Sequence, residues 1–253
     1  MVETINLLAT DLSKSFNDAQ NGEVSVLDGL SLEVKRGEIV ALIGPSGCGK
    51  STFLRLAAGL DLPDSGSINY NGIPITGTDS DRGFMFQDPN LFPWLTVYDN
   101  IAFGLKARRV YKKERSKVRE YIDMMGLTGF EKAFPHQLSG GMASRTALAR
   151  TFIQNPSLIL LDEPLSALDA FTRITIQNEI LGICQKTRPT IILVTHDIEE
   201  AVALSDRVAV LSARPSRIVE EVAISLSHPR DRTSAEFVSL RRAISDMLAL
   251  CVT

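Results

Sequence analysis

Five aliphatic residues, Ile39-Val40-Ala41-Leu42-Ile43, run straight into Gly44-Pro45-Ser46-Gly47-Cys48-Gly49-Lys50-Ser51-Thr52. An apolar run of this length reads as a strand buried on both faces. The segment Thr52 to Leu60, with Phe53, Leu54, Leu56 and Ala57, reads as a helix. A glycine-rich loop therefore joins a buried strand to a helix, with a lysine at the helix mouth. Such a loop can turn its backbone N–H groups inward, and the lysine adds a point charge to the positive end of the helix dipole. Both hold a polyphosphate. The spacing Gly44-x-x-x-x-Gly49-Lys50-Ser51 is that of a phosphate-binding loop. Cys48 stands between two glycines with little steric cover, near a lysine and a helix N-terminus, both of which favour a thiolate. It is expected to be the most alkylation-prone of Cys48, Cys184 and Cys251. The alternative is a small filler with its sulfur turned into the core.

Further along, four aliphatic residues lead into Asp162-Glu163-Pro164 in "LILLDEP". In an open α/β sheet the C-terminal edge of the strands is where ligands bind. A carboxylate there can hold Mg²⁺ beside phosphates, and its neighbour can take a proton from an attacking water. The next strand, "TIILV", ends at Thr195-His196-Asp197, which places His196, one of three histidines, at the same edge. In "LSGGM", Ser139 precedes a helical run from Ala143 to Ile153. Ser139 is a candidate N-cap, and Gly140 and Gly141 leave N–H groups free for a second anion site. One nucleotide does not need two such helix ends. Two chains sandwiching two ATP molecules head to tail would use both.

The rest of the chain fits one large domain or two small ones. Its 253 residues are 44% hydrophobic, and its formal net charge of −3 argues against a dedicated nucleic-acid binder. Three scattered cysteines suit reduced thiols in a cytosolic setting. The start "MVETINLLAT", with Glu3, does not read as a signal peptide, and no apolar run approaches the ~20 residues needed to span a bilayer. Any membrane role goes through a partner. The first forty residues read as half-buried antiparallel strands, with Leu30, Leu32 and Val34 alternating. Leu62 to Gly77 reads as short strands and turns, and Val97 to Phe130 as helical and charged. From Ser157 onward apolar strands alternate with helices, the mark of a parallel sheet. Ala235 to Leu250 puts Phe237, Leu240, Ile244, Met247 and Leu248 on one face of a packed helix. The basic run Lys106–Lys117 reads as a solvated helix face in preference to a contact with anionic lipid.

In order and spacing, "GPSGCGKST", Phe86-Gln87, "LSGGM", "LLDEP", "SALD" and Thr195-His196 resemble the ATP-binding cassette ATPases, and the resemblance covers essentially the whole chain. It implies an α/β fold, a RecA-like P-loop NTPase core with an N-terminal antiparallel β subdomain and an inserted α-helical subdomain. Residues 1–253 would form a single cassette, with 1–90 and 155–253 as the nucleotide-binding core and 91–154 as the helical subdomain. The resemblance implies ATP and Mg²⁺ as cofactors. The loop residues Gly44, Pro45, Ser46, Gly47, Cys48, Gly49, Lys50, Ser51 and Thr52 would bind nucleotide, Lys50 on the β- and γ-phosphates and Ser51 on Mg²⁺. Asp162 would support the metal and Gln87 would sense metal, water and partner. Glu163 would be the general base and His196 the switch histidine. Ser139, Gly140 and Gly141 would bind the γ-phosphate of the opposite subunit's ATP, and Asp169 would lie in the loop crossing that interface. Phe16, in "DLSKSF", aligns with the aromatic that stacks on adenine.

The chain departs from the pattern after the signature, where Ala143-Ser144 replaces the usual Arg-Gln pair. That puts fine control of the ATP sandwich in doubt. DNA-repair relatives carry a long coiled coil between the phosphate loop and "LSGG"; this chain has fewer than a hundred residues there and no sustained heptads. Translation-factor relatives carry two cassettes, and GTPases an Asn-Lys-x-Asp segment; neither is present. A transport ATPase leads, with a soluble ATP-driven mechanical subunit as rival. "LFPWLTVYDNIAFGL", "LDAFTR" and "LSARPSRIVEEV" look like the nitrate, sulfonate and taurine importer group. The implied protein is a homodimeric, peripheral ATPase on the cytoplasmic side of the membrane of a bacterial importer. Its partners would be an integral membrane permease and a solute-binding protein, and it would bind no nucleic acid. The permease groove would be lined by Leu91, Phe92, Pro93 and Trp94, or else these residues pack the boundary between the core and the helical region.

Overall fold

Aliphatic runs with no polar face need cover on both sides, and the chain provides it around a central parallel sheet. The computed structural model describes residues 5–18 and 22–251; Glu3 lies outside them. In chain order the elements are β1 (Ile5–Asp18), β2 (Gly22–Lys35), β3 (Ile39–Ile43), α1 (Lys50–Ala58), β4 (Ser65–Tyr70), β5 (Ile73–Pro74) and β6 (Arg82–Met85). Then come α2 (Val97–Ala107), α3 (Tyr111–Met124), α4 (Gly140–Phe152), β7 (Leu158–Asp162), α5 (Ala170–Thr187) and β8 (Thr190–Val194). The chain continues through α6 (Ile198–Leu204), β9 (Arg207–Leu211), β10 (Ile218–Ala223) and α7 (Ala235–Leu250).

The central sheet has the order β10-β9-β3-β8-β7-β6, parallel from β9 to β6 with β10 antiparallel at one edge. A second sheet, β2-β1-β4-β5, is antiparallel. Every residue of β3, β7 and β8 is buried. Along β3 the faces alternate: Val40 and Leu42 pack with α1 and the antiparallel sheet, Ala41 and Ile43 with α6 and α7. The parallel strands run the same way, so the segments after β3, β6, β7 and β8 emerge at one edge. That edge receives the phosphate loop, Gln87, Asp162-Glu163 and His196.

Helices α2, α3 and α4 share one apolar cluster with β7 and α5, through Ile101, Val118, Ile122, Leu148 and Phe152 against Ile159 and Leu161. The helical stretch read as Val97 to Phe130 is divided. Arg109 takes a left-handed backbone with φ of 59°. Its N–H donates to Lys106 O, and Val110 N–H donates to Leu105 O, each at 3.0 Å. This paired closure ends α2 and forces a new helix to start. In the basic run, Lys106 pairs with Asp99 at 2.6 Å and Lys117 with Glu114 at 2.8 Å, so both charges are met on the helices' own surfaces. The face of α7 read from the sequence packs as one: Phe237 and Ile244 are buried, with Leu240, Met247 and Leu248 against them.

Candidate functional site

The loop Gly44–Gly49 arches over the start of α1, and Gly49 is what allows it to sit close. Gly49 has φ of 116°, and a Cβ there would stand 2.8 Å from Val26 Cγ1 and 2.9 Å from Leu27 Cδ2. Only glycine fits both the backbone and the space. Lys50, 7% exposed, folds back under the loop, where its ammonium donates to the Gly44 and Pro45 carbonyls at 2.8 Å each. Phe16, Ser46, Gly47, Gly49, Lys50, Ser51, Thr52, Gln87 and Glu163 line one cavity of about 550 Å³. These residues come from four places in the sequence, which the sheet edge brings together. Phe16 is an exposed aromatic at its mouth.

Cys48 is corrected. It is 1% exposed, and its sulfur sits beneath the loop against Gly44 and in the cluster formed by Val26, Leu54 and Leu211. The flanking glycines give it no exposure, because the turn they permit rotates the side chain inward. Cys184 is a poor nucleophile as well, since burial pushes its thiol up to about 12. Cys251, half-buried near the end of α7, is expected to take a maleimide pulse first. Mass mapping that finds Cys48 modified ahead of Cys251 in the native protein would restore the exposed-thiol reading.

Asp162 ends β7 at 6% exposure, and its Oδ1 has no hydrogen-bond partner. Burial pushes its carboxyl above the usual range; a bond from Ser51 and the charge of Lys50 pull the other way, and Glu163 adds to the rise. An orphaned carboxylate oxygen beside a hydroxyl is a hard-donor pair suited to a small divalent cation. Among the described residues no cluster of three or more His, Cys, Asp and Glu could hold a metal. The next residue, Glu163, sits in the left-handed region with φ of 47°, held by its N–H to Val194 O at 2.9 Å. Such a backbone in a non-glycine residue marks a place where the surroundings override local preference. Gln87 Nε2 donates to Glu163 Oε2 at 3.2 Å, and His196 Nδ1 lies 3.3 Å from the same oxygen. Three side chains singled out in the sequence thus meet at one atom.

Ser139 caps α4, accepting from Met142 N at 3.3 Å. Gly140 and Gly141 lie against Ala167 and Leu168 of "SALD", and Asp169 caps α5 by accepting from Phe171 N and Thr172 N. None of Ser139, Gly140, Gly141 and Asp169 lines the cavity of the phosphate loop. Within one chain the two anion-ready helix ends stay apart.

Several supporting residues carry no local signal in the sequence. Arg150, on α4, donates to Pro89 O and Asn90 O at 2.8 and 2.9 Å and so holds the segment that follows Gln87. Buried Asn100 accepts from Phe92 N and donates to the carbonyls of Phe92, Leu95 and Thr96, shaping the loop that carries Trp94. Its position among Val97, Ile101 and Leu105, on the apolar face of α2, is the one clue. The Thr195 hydroxyl donates to buried Glu200 at 2.6 Å and accepts from Asp197 N at 3.0 Å, bracing the backbone around His196. Burial pushes Glu200 up to about 7. Arg173 ties the two neighbouring segments together, to Asp197 at 2.9 Å and to Leu168 O at 3.0 Å.

Comparison with known proteins points one way. The family model described as "ABC transporter" matches residues 27–166. An uncharacterised ABC transporter ATP-binding protein of Methanocaldococcus jannaschii is 48% identical over 245 residues, 96% of this chain and 91% of that protein. The aliphatic sulfonates import ATP-binding protein SsuB of Bacillus subtilis is 46% identical over 220 residues, 87% of this chain and 86% of that protein. Among solved structures, a dimeric ATP-binding cassette bound to ADP and Pi in a post-hydrolysis state superposes with a TM-score of 0.78 at 30% identity, covering 87% of this chain and all of that one.

Proposed function

The chain belongs to the ABC transporter family, and from that premise we propose that it is the subunit that powers import of a small sulfonate-like solute through a separate membrane permease. It is an ATP-hydrolysing cassette. The kinship with aliphatic sulfonate import proteins over about nine-tenths of the chain supports the importer reading and the solute class. No helix among the described residues is long and apolar enough to cross a membrane, and in this reading the permease is a separate chain. We assign the protein to the cytoplasmic face of that permease, with a solute-binding protein delivering cargo on the other side.

In this reading the phosphate loop and Lys50 hold the ATP phosphates, and Phe16 stacks on the base. Asp162, Ser51 and Gln87 would hold Mg²⁺, which would supply positive charge against the phosphates. Glu163 accepts the proton of the attacking water, and Gln87 and His196 orient its carboxylate. Because Ser139–Gly141 and Asp169 stand outside the cavity, they serve the nucleotide of a second copy, and the working unit is a dimer.

The observation that best supports a membrane partner is an aromatic patch. Trp94 is 70% exposed, and Phe92 packs between it and half-exposed Phe103, with ring centroids 5.6 and 4.4 Å away. Asn100 fixes the backbone beneath, so the patch is presented on a shaped loop rather than a floppy one. An exposed apolar cluster of this kind marks a contact surface. Trp94→Ala is expected to abolish co-purification with the permease and solute-stimulated ATPase in proteoliposomes, while basal hydrolysis stays within about twofold, because nothing in the core rests on the indole. Equal loss of basal hydrolysis and of folding would place Trp94 in the packing between core and helices. Full activity with no permease bound would favour the soluble mechanical subunit.

A further inference from the structure

Arg214 belongs to none of the roles above, yet it reaches the tip of the phosphate loop. It stands in the connection between β9 and β10, and its Nε and Nη2 both donate to the Gly47 carbonyl, at 3.1 and 2.8 Å. The same peptide unit is engaged on its other side. Cys48 N–H donates to Pro45 O at 3.3 Å, closing a turn in which Gly47 has φ of 72°. In a trans peptide the C=O and N–H point in opposite directions. The Gly47–Cys48 unit is therefore pinned at both ends, and with it the orientation of the loop that follows.

The platform carrying Arg214 is itself fixed. Ser212 N donates to Arg217 O at 2.9 Å, and Arg217 N donates to Ser212 Oγ at 3.0 Å. Ser216 N donates to Val26 O at 2.9 Å, Asp28 N returns to Ser216 O at 3.3 Å, and Arg217 pairs with Asp28. Val26 and Leu27 are the residues on which Gly49 rests. The phosphate loop is thus held from one side by β2 and from the other by a guanidinium fork whose base is stitched to β2. Arg214 also lines the cavity shared by Phe16, Lys50 and Glu163.

We propose that Arg214 is a positioning residue for nucleotide binding, acting through the Gly47 carbonyl to hold the phosphate loop in the shape that accepts a polyphosphate. The proposal rests on the reading of that loop as the nucleotide site. A fork of two donors from a planar group is what a lysine cannot supply. Arg214→Ala and Arg214→Lys in the full-length protein are each expected to weaken ATP and ADP binding about tenfold, the scale of one charge-assisted hydrogen bond. The rate at saturating Mg-ATP should stay within about twofold, since no group at the reacting atoms is touched. Melting should move by no more than about 5 °C, the scale of one such bond in a chain of this size. A purely structural residue would shift melting without separating affinity from turnover.

Unchanged affinities in Arg214→Ala would overturn the proposal, as would full recovery in Arg214→Lys, which would make the charge alone sufficient. If Arg214→Ala melts far below the parent, Arg214→Gln, with a shorter donor in place, is measured instead under the same criteria. Lys50→Ala separates the two levels. Undiminished ATP binding in Lys50→Ala would overturn the placement of the site itself. Lost binding in Lys50→Ala with unchanged binding in Arg214→Ala would overturn the role of Arg214 alone.

Discussion

Glu163→Gln is expected to bind ATP and stop there. The amide keeps the size and trigonal shape of the carboxylate, so the contacts from Gln87 and His196, 3.2 and 3.3 Å away, are not sterically disturbed. What it loses is the capacity to take a proton from water. General-base removal costs roughly 10²–10⁴ in rate, and a steady-state assay should show a fall in that range. With hydrolysis blocked, the nucleotide that on the proposed arrangement would hold two chains together is no longer consumed, and Mg-ATP should drive the variant to a dimer on gel filtration. Hydrolysis at the parental rate would remove Glu163 from the chemistry. A monomer that binds ATP with parental affinity would instead remove the sandwich arrangement.

Gly49→Ala is expected to cost both stability and nucleotide binding. The backbone at φ of 116° is one that L-residues rarely adopt, and the new Cβ would press within 2.8–2.9 Å of Val26 and Leu27. Backbone strain of about 1–3 kcal/mol and overpacking of similar size act together. The sum, roughly 2–6 kcal/mol, corresponds to a drop in melting temperature on the order of 5–25 °C for a chain of this size. Since β2 and α1 are both rooted firmly, the loop is the part that gives, and ATP binding should fall even where the protein remains folded. Thermal unfolding and nucleotide titration on the same sample test this; parental values in both would mean the loop has slack that its contacts do not suggest.

The features visible in the sequence were those whose chemistry is local. The strand–loop–helix from Ile39 to Ala58 announces itself because aliphatic period, glycine spacing and lysine fall within twenty residues. Ser139 could be read as a cap because an N-cap depends only on the three residues after it. The one-sided face of α7 and the alternation of Leu30, Leu32 and Val34 are similarly periodic. What could not be read depends on which way a side chain turns in three dimensions. Cys48 looked uncovered because its neighbours are glycines, yet the turn those glycines allow is what buries it. Arg214 and Arg150 are ordinary arginines until the fold lays them against carbonyls 167 and about 60 positions away. The left-handed backbone of Glu163 has no compositional sign, since it is imposed by the bond to Val194 in a neighbouring strand. The break in the charged helical stretch at Arg109 was hidden because no glycine or proline stands there.

The place of β3 in the sheet has a consequence for how the chain is made. Its hydrogen-bonding neighbours are β8 and β9, which begin at Thr190 and Arg207. The five aliphatic residues that launch the phosphate loop therefore emerge from the ribosome without either partner, and nearly 150 residues must follow before the first arrives. At ~5–20 residues per second that interval lasts on the order of 10–30 s. During it, the antiparallel hairpin of β1 and β2 and the bundle of α2, α3 and α4 can form from sequence-near contacts, while β3 stays an unpaired, uncharged strand. The segment that defines the protein's chemistry is thus among the last to be secured in synthesis, and the interval is when chaperone capture or misassociation with another nascent chain competes with folding.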